Sequence, residues 1–135
     1  MLRQLDDRTL VSGQITAGDV PNLGGQGVTL IVNNRPDGEE PGQPLSAEIK
    51  EAAQREGIEF RYNPIVRGIG PADVEAMREA MRECGDGRML AFCRSGTRST
   101  LAWAVARRED GVSREELVRS AAKAGVDLTP VEHLL

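Results

Sequence analysis

Apolar residues along this chain fall into short β-branched runs separated by stretches of helical spacing. Val28 to Asn33 is an almost continuous apolar run of the kind that forms a buried central strand. Thr9 to Ile15, Ile58 to Tyr62 and Arg88 to Phe92 read as three further strands. Thr16 opens a short helical turn through Asp19 and Val20, which Pro21 and Gly24-Gly25 are expected to keep brief. Asn34 to Pro44, with three prolines, two glycines and three acids, is a loop by composition. Ser46 is the expected N-cap of a helix reaching about Arg55, which Gly57 closes. After a loop from Asn63 to Gly70, Pro71 suits the first turn of a helix to about Glu83, with Asp73 near its positive end. Val74, Met77, Ala80 and Met81 share one face of that helix and are expected in the core. A further helix covers Thr100 to Arg108. Ser113 and Thr129 each stand three residues before a glutamate, the capping-box spacing that predicts two final helices. The order β-α-β-α-β-α-β-α-α predicts one α/β domain over residues 1–135, with a central, mainly parallel sheet flanked by helices.

Length supports that reading, because 135 residues suffice for one core and not comfortably for two. One Trp, one Tyr and two Phe leave the core to aliphatics and alanine. The net charge of −4 argues against a nucleic-acid partner, which would normally demand a basic excess. The N-terminal residues lack an apolar signal core and no run approaches a membrane span, so a cytoplasmic location without membrane contact is expected. No group has metal-ligand spacing, and Gly24-Gly25-Gln26-Gly27 precedes a strand where a nucleotide-binding fingerprint would follow one. Neither a metal nor another cofactor is expected. Five strand residues between Cys84 and Cys93 span about 17 Å, too far for a disulfide. Cys84 is expected to be a partly buried helix-end residue, and the lone His133 a surface residue.

Chemistry concentrates in Cys93-Arg94-Ser95-Gly96-Thr97-Arg98-Ser99. A cysteine ending a strand, a tight turn and a helix N-terminus form an anion cradle, with turn N–H groups and the helix dipole directed inward. The same field favours thiolate over thiol, so Cys93 is expected to be the nucleophile. Arg98 supplies a planar fork for an oxyanion, and Gly96 allows a positive φ in the turn. Arg94 is expected to assist Arg98, and the Ser99 hydroxyl to donate to the Cys93 sulfur. Arg94, Arg98, Arg107 and Arg108 together suggest a local positive field in an acidic protein. The loop after Asn33 admits two readings of equal weight. Arg35 binds the anion and Asp37 serves as a proton donor, or Pro36-Asp37-Gly38 simply reverses the chain.

Four blocks carry a family resemblance: Val11 to Ile15, Asn33 to Glu40, Gly57 to Pro64, and Cys93 to Ser99. In this order they resemble a bacterial family of small tyrosine-phosphatase-fold domains, found alone or fused to a β-lactamase-like persulfide dioxygenase in β-lactamase-hydrolase-like proteins. The resemblance implies a tyrosine-phosphatase-like fold, Cys93 as nucleophile, Arg98 as anion clamp, and a functional link to a persulfide dioxygenase. Two departures from the phosphatases stand out. Such enzymes place five residues between cysteine and arginine, whereas only Arg94, Ser95, Gly96 and Thr97 intervene here, the spacing of the rhodanese loop. Phosphatases also carry an aspartate on the loop about thirty residues before the cysteine, and Asn63 to Gly70 contains no acid. The sequence-based expectation is therefore a sulfurtransferase. It would move sulfane sulfur from a small anionic donor, such as thiosulfate or a persulfide, through a Cys93 persulfide to a thiol acceptor. The alternative is a phosphatase acting through a Cys93 phosphocysteine, with Asp37 as the substitute acid. A third reading is a non-catalytic anion- or partner-binding module.

Overall fold

The protein is described over residues 2–135 by a computed structural model. Five strands form one sheet in the order β1-β2-β5-β3-β4: β1 Arg3–Asp6, β2 Thr9–Ser12, β3 Val28–Asn33, β4 Glu59–Tyr62 and β5 Arg88–Phe92. Four strands are parallel and β1 alone is antiparallel, paired with β2. The helices are α1 Val20–Gly25, α2 Ser46–Arg55, α3 Pro71–Cys84, α4 Thr97–Glu109 and α5 Arg114–Lys123.

Alternation along the strands divides the core in two. Val11, Leu30, Val32, Met89 and Ala91 face α3, α4 and α5, where Met77, Trp103 and Leu117 pack. Leu10, Ile31, Leu90 and Phe92 face the other way, against Val20 and Leu23 of α1 and Ile49 and Ala53 of α2. The result is a three-layer α/β/α domain. Helix α4 sits at its centre and buries every residue from Ser99 to Ala106. The predicted core face of α3 is in place: Val74, Met77 and Ala80 are buried, and Met81 packs at the edge of the same cluster.

Several boundaries differ from the sequence-based expectation. The first predicted strand stops at Ser12, and β1 precedes it as an edge strand with only one buried residue, Leu5. Edge strands carry little hydrophobic periodicity, which is why the pattern did not disclose this one. Helix α1 runs through Pro21, which occupies its first turn and costs no helical hydrogen bond there. Ser46 is the first residue of α2 and not its cap, because its N–H donates to Asp37 Oδ1 at 2.8 Å. Ser113 caps α5 as predicted, accepting from the Glu116 N–H at 3.2 Å. The segment Thr129–Leu134 is a 3₁₀ helix instead of an α-helix, and the Thr129 hydroxyl turns back to Asp127 Oδ1 at 2.7 Å. Arg107 and Arg108 lie in the last turn of α4, at the end away from Cys93. Arg107 pairs with Asp6 and Asp110 and Arg108 donates to the Leu135 carbonyl, so neither adds to the field at the cysteine. Both cysteines are free, Cys84 partly buried and Cys93 buried. No helix among the described residues is long and apolar enough to cross a membrane.

Candidate active site

One row of strand partners marks the C-terminal edge of the parallel sheet: Ser12 beside Phe92, Phe92 beside Asn33, Asn33 beside Tyr62. The next residue of each chain segment, Gly13, Cys93, Asn34 and Asn63, therefore emerges at one pole, where open α/β sheets bind ligands. Cys93 lies on the floor of this pole and is 1% exposed. Its sulfur accepts the Gly96 N–H at 3.1 Å. Gly96 has φ 95°, a left-handed conformation that the sequence reading anticipated and that a side chain would strain.

Every carbonyl of the turn from Arg94 to Gly96 is engaged elsewhere. Arg94 O accepts the Gln14 N–H at 3.3 Å, Ser95 O accepts Arg3 Nη2, and Gly96 O accepts both N–H and hydroxyl of Thr100. The N–H groups of the first turn of α4 have no carbonyl within the helix to bond, and they converge on the same pole. Gly13 permits the close approach, since a Cβ there would stand 2.8 Å from Arg94 O.

Arg98 is held by the loop after β3. Its Nη1 donates to Glu39 Oε2 at 2.7 Å and its Nη2 to Glu39 Oε1 at 2.9 Å, a two-bond fork, while Nη1 also reaches Ile65 O at 2.8 Å. The hydrogen bond from Arg98, joined by that from Arg35, holds the Glu39 carboxyl down to about 2 against the opposing effect of burial. Arg98 is correspondingly pushed up, first by its bond to Glu39 and further by Cys93. Arg35 is 3% exposed and donates to Glu39 at 2.9 Å, Glu40 at 2.6 Å and Gln14 at 3.1 Å. Glu40 in turn meets Arg94 Nε at 3.1 Å. Two consecutive glutamates thus link one buried arginine to both arginines of the cysteine turn.

The predicted site residues divide accordingly. Cys93, Gly96 and Arg98 come together. Ser95 and Thr97 join hydroxyls at 3.1 Å on the exposed side of the turn, and Arg94 is exposed beside Glu40. Ser99 departs from the expectation: it is fully buried, and its hydroxyl donates to Asn34 Oδ1 at 2.8 Å, not to the sulfur. Arg35 is a buried hub behind the carboxylates and offers no open face to an anion. Asp37 takes the turn reading. Its carboxylate accepts the first N–H of α2, and its own N–H donates to the Tyr62 hydroxyl at 2.9 Å. Asp73 bonds the Gly70 N–H at 2.9 Å and so serves the start of α3.

Sequence reasoning passed over Glu39, Asn34 and Arg3. Asn34 ties three elements together, bonding Ser99, the Asn63 carbonyl at 2.9 Å and, through its N–H, Phe92 O at 2.8 Å. Adjacent glutamates in a loop look like solvated charge, and only their meeting with Arg98, 59 positions away, marks Glu39.

A parallel sheet that delivers a cysteine to the N-terminus of a central helix, with an arginine closing the turn, defines a cysteine-dependent phosphatase-like domain. Comparison with known proteins agrees. The family model for the phosphatase-like domain of beta-lactamase hydrolase-like protein matches residues 1–110. The beta-lactamase hydrolase-like protein of Agrobacterium fabrum is 34% identical over 127 residues, covering 93% of this chain. Its counterpart in Xylella fastidiosa is 33% identical over 126 residues, covering 92%. The chain spans only 29% of the length of either relative. Among solved structures, a candidate phosphatase from Neisseria meningitidis superposes with a TM-score of 0.82 at 36% identity, over 98% of this chain and 94% of that one. Tk-PTP shares the fold at a TM-score of 0.76 and 18% identity, over 98% and 95% of the two chains. This chain belongs to the phosphatase-like domain family of beta-lactamase hydrolase-like proteins.

Proposed function

We propose that this domain hydrolyses phosphate monoesters through Cys93, which favours the alternative over the expected sulfur transfer. The observation that carries the reading is the Cys93 sulfur under the Gly96 N–H, with Arg98, aimed by Glu39, beside it on the same turn. Family membership and the likeness to the Neisseria protein support it. The Cys93 thiolate attacks phosphorus: an S–P bond forms as the bond to the leaving oxygen breaks, and that oxygen departs with the electron pair. The guanidinium N–H groups of Arg98 that Glu39 and Ile65 leave free, together with the helix N–H groups, hold the equatorial oxygens through the charge shift. Water then attacks phosphorus, the S–P bond breaks, and phosphate and thiolate are restored.

The proton for the leaving oxygen narrows the substrate class. Glu39 stays ionised at neutral pH, Asp37 is committed to α2, and residues 63–70 hold no acid. Without a general acid, ordinary alkyl esters forfeit about a hundred- to ten-thousandfold in rate. Substrates whose leaving group departs unprotonated, such as activated aryl phosphates that release an acidic phenol, avoid that loss.

The four-residue spacing between Cys93 and Arg98 and the acid-free loop of residues 63–70 favour sulfur transfer as the second reading. Here the thiolate attacks the outer sulfur of thiosulfate, an S–S bond forms, and sulfite leaves with the electron pair of the broken bond. A thiol acceptor then takes the sulfur from the Cys93 persulfide. The partnership with a persulfide dioxygenase belongs to this reading.

One preparation assayed with 4-nitrophenyl phosphate and with thiosulfate plus cyanide separates the two. Phosphate release that disappears in Cys93→Ser and Arg98→Ala is expected. A one-sulfur mass increment on Cys93 with no phosphate release overturns the phosphatase reading in favour of the second. Neither activity from folded protein overturns both.

A further inference from the structure

The peptide unit between Ser95 and Gly96 is gripped at both ends. Its N–H points at the Cys93 sulfur, 3.1 Å away, and its C=O accepts the Arg3 guanidinium. In a planar trans peptide the two groups point in opposite directions, so fixing one fixes the other. Arg3 belongs to β1, 92 residues away in sequence, and its other arm donates to Ala124 O at 2.8 Å, at the C-terminal end of α5. The guanidinium lies flush against Gly96, where a Cβ would run into Nη2.

We propose that Arg3 is a positioning residue that keeps the Gly96 N–H on the Cys93 thiolate by anchoring the Ser95 carbonyl on the outer side. Glycine makes the anchor necessary. At φ 95° Gly96 can present its N–H inward, but the same freedom lets the unit swing over and bring its oxygen towards the sulfur. A carbonyl facing a thiolate repels it, whereas an N–H stabilises it, so the orientation of one peptide sets the ease of ionisation. Arg3 removes the swing, and its charge polarises the peptide so that the N–H is the stronger donor. The other carbonyls of the turn are held by backbone N–H or hydroxyl donors, the Arg94 carbonyl by the Gln14 N–H and the Gly96 carbonyl by Thr100. The Ser95 carbonyl depends on a side chain from the edge strand.

The proposal rests on Cys93 acting as a thiolate, as in the reading above, but on neither phosphate nor sulfur chemistry. Its test is the rate of Cys93 alkylation by iodoacetamide as a function of pH, with the modified cysteine identified by peptide mass. In Arg3→Met the profile is expected to move up by about one pH unit and the rate at neutral pH to fall about tenfold. Arg3→Lys, which keeps one charged donor, should fall between Arg3→Met and wild type. The control is Arg8→Met, which removes an arginine bonded to Gly85 O at the opposite pole and should leave the profile in place. A folded Arg3→Met protein whose profile superposes on wild type overturns the proposal, as does an equal shift in Arg8→Met. If Arg3→Met does not fold, Arg3→Lys decides: a displaced profile supports the role and an unchanged one overturns it. A wild-type protein that lacks, up to neutral pH, any thiolate ultraviolet absorbance that Cys93→Ser removes overturns the thiolate reading itself, a result distinct from either failure above.

Discussion

Glu39→Gln tests whether the loop after β3 aims Arg98 or merely neutralises it. In the wild type, two parallel bonds of 2.7 and 2.9 Å join the guanidinium to the carboxylate. Glutamine keeps one oxygen and turns an NH₂ donor towards another donor, so one charge-assisted bond is lost. Such a bond contributes about 1.5–3 kcal/mol net. The two side chains are 22% and 28% exposed, so solvent screening places the loss near the lower end, about 2 kcal/mol. If that energy orients Arg98 on the transition state, kcat/KM for an aryl phosphate falls about thirtyfold. The assay is steady-state 4-nitrophenyl phosphate hydrolysis, with a thermal melt to show that the variant is folded. A kcat/KM within about threefold of wild type refutes the orienting role. An increase refutes it in the opposite sense, because Glu39 would then be competing with substrate for Arg98.

Three further outcomes are expected. The Glu39 carboxyl is held at about 2 against an ordinary 4.5, so its contribution to stability is complete above about 4.5 and is lost as pH falls towards 2. The stability difference between wild type and Glu39→Gln, measured by urea denaturation, should therefore shrink across that window; a constant difference refutes the assignment. Asn34→Ala strands the buried Ser99 hydroxyl and frees the Asn63 carbonyl, at a cost of about 2–4 kcal/mol. A double-mutant cycle with Ser99→Ala should show coupling of at least about 1 kcal/mol, and additive losses would contradict the direct bond. Gly13→Ala drives a methyl against Arg94 O, 2.8 Å away, and should cost about 1–3 kcal/mol while lowering phosphatase kcat by displacing the cysteine turn. Unchanged kcat and melting temperature would show that the turn has slack there.

The α/β alternation, the core face of α3 and the cysteine turn were readable from the chain because each depends on neighbours within a few positions. Val28 to Asn33 can bury only as a central strand, and a cysteine between an apolar run and a helix start presents its sulfur to N–H groups wherever the strand is placed. Asn34 to Pro44 was readable as a loop but not in its tasks. Asp37 and Glu39 are both acids in a turn-rich segment, and local chemistry does not distinguish the one that starts α2 from the one that grips Arg98. A hydroxyl at the start of the cysteine helix can donate to the sulfur as far as local chemistry tells, whereas the helix rotates Ser99 inward onto Asn34.

Composition and periodicity were enough to predict one α/β domain, the resemblance implied its phosphatase-like fold, and the local pattern put Cys93 and Arg98 on one strand-to-helix turn. The first and the last follow from hydrogen bonding and burial within short segments. The partners of the turn came from folding: Arg3 on the Ser95 carbonyl, Glu39 on Arg98 and Asn34 beneath Ser99. Each joins residues 59 to 92 positions apart, a distance over which sequence pattern carries no register and only the packing of β1, β3 and α4 around one sheet brings the groups into contact.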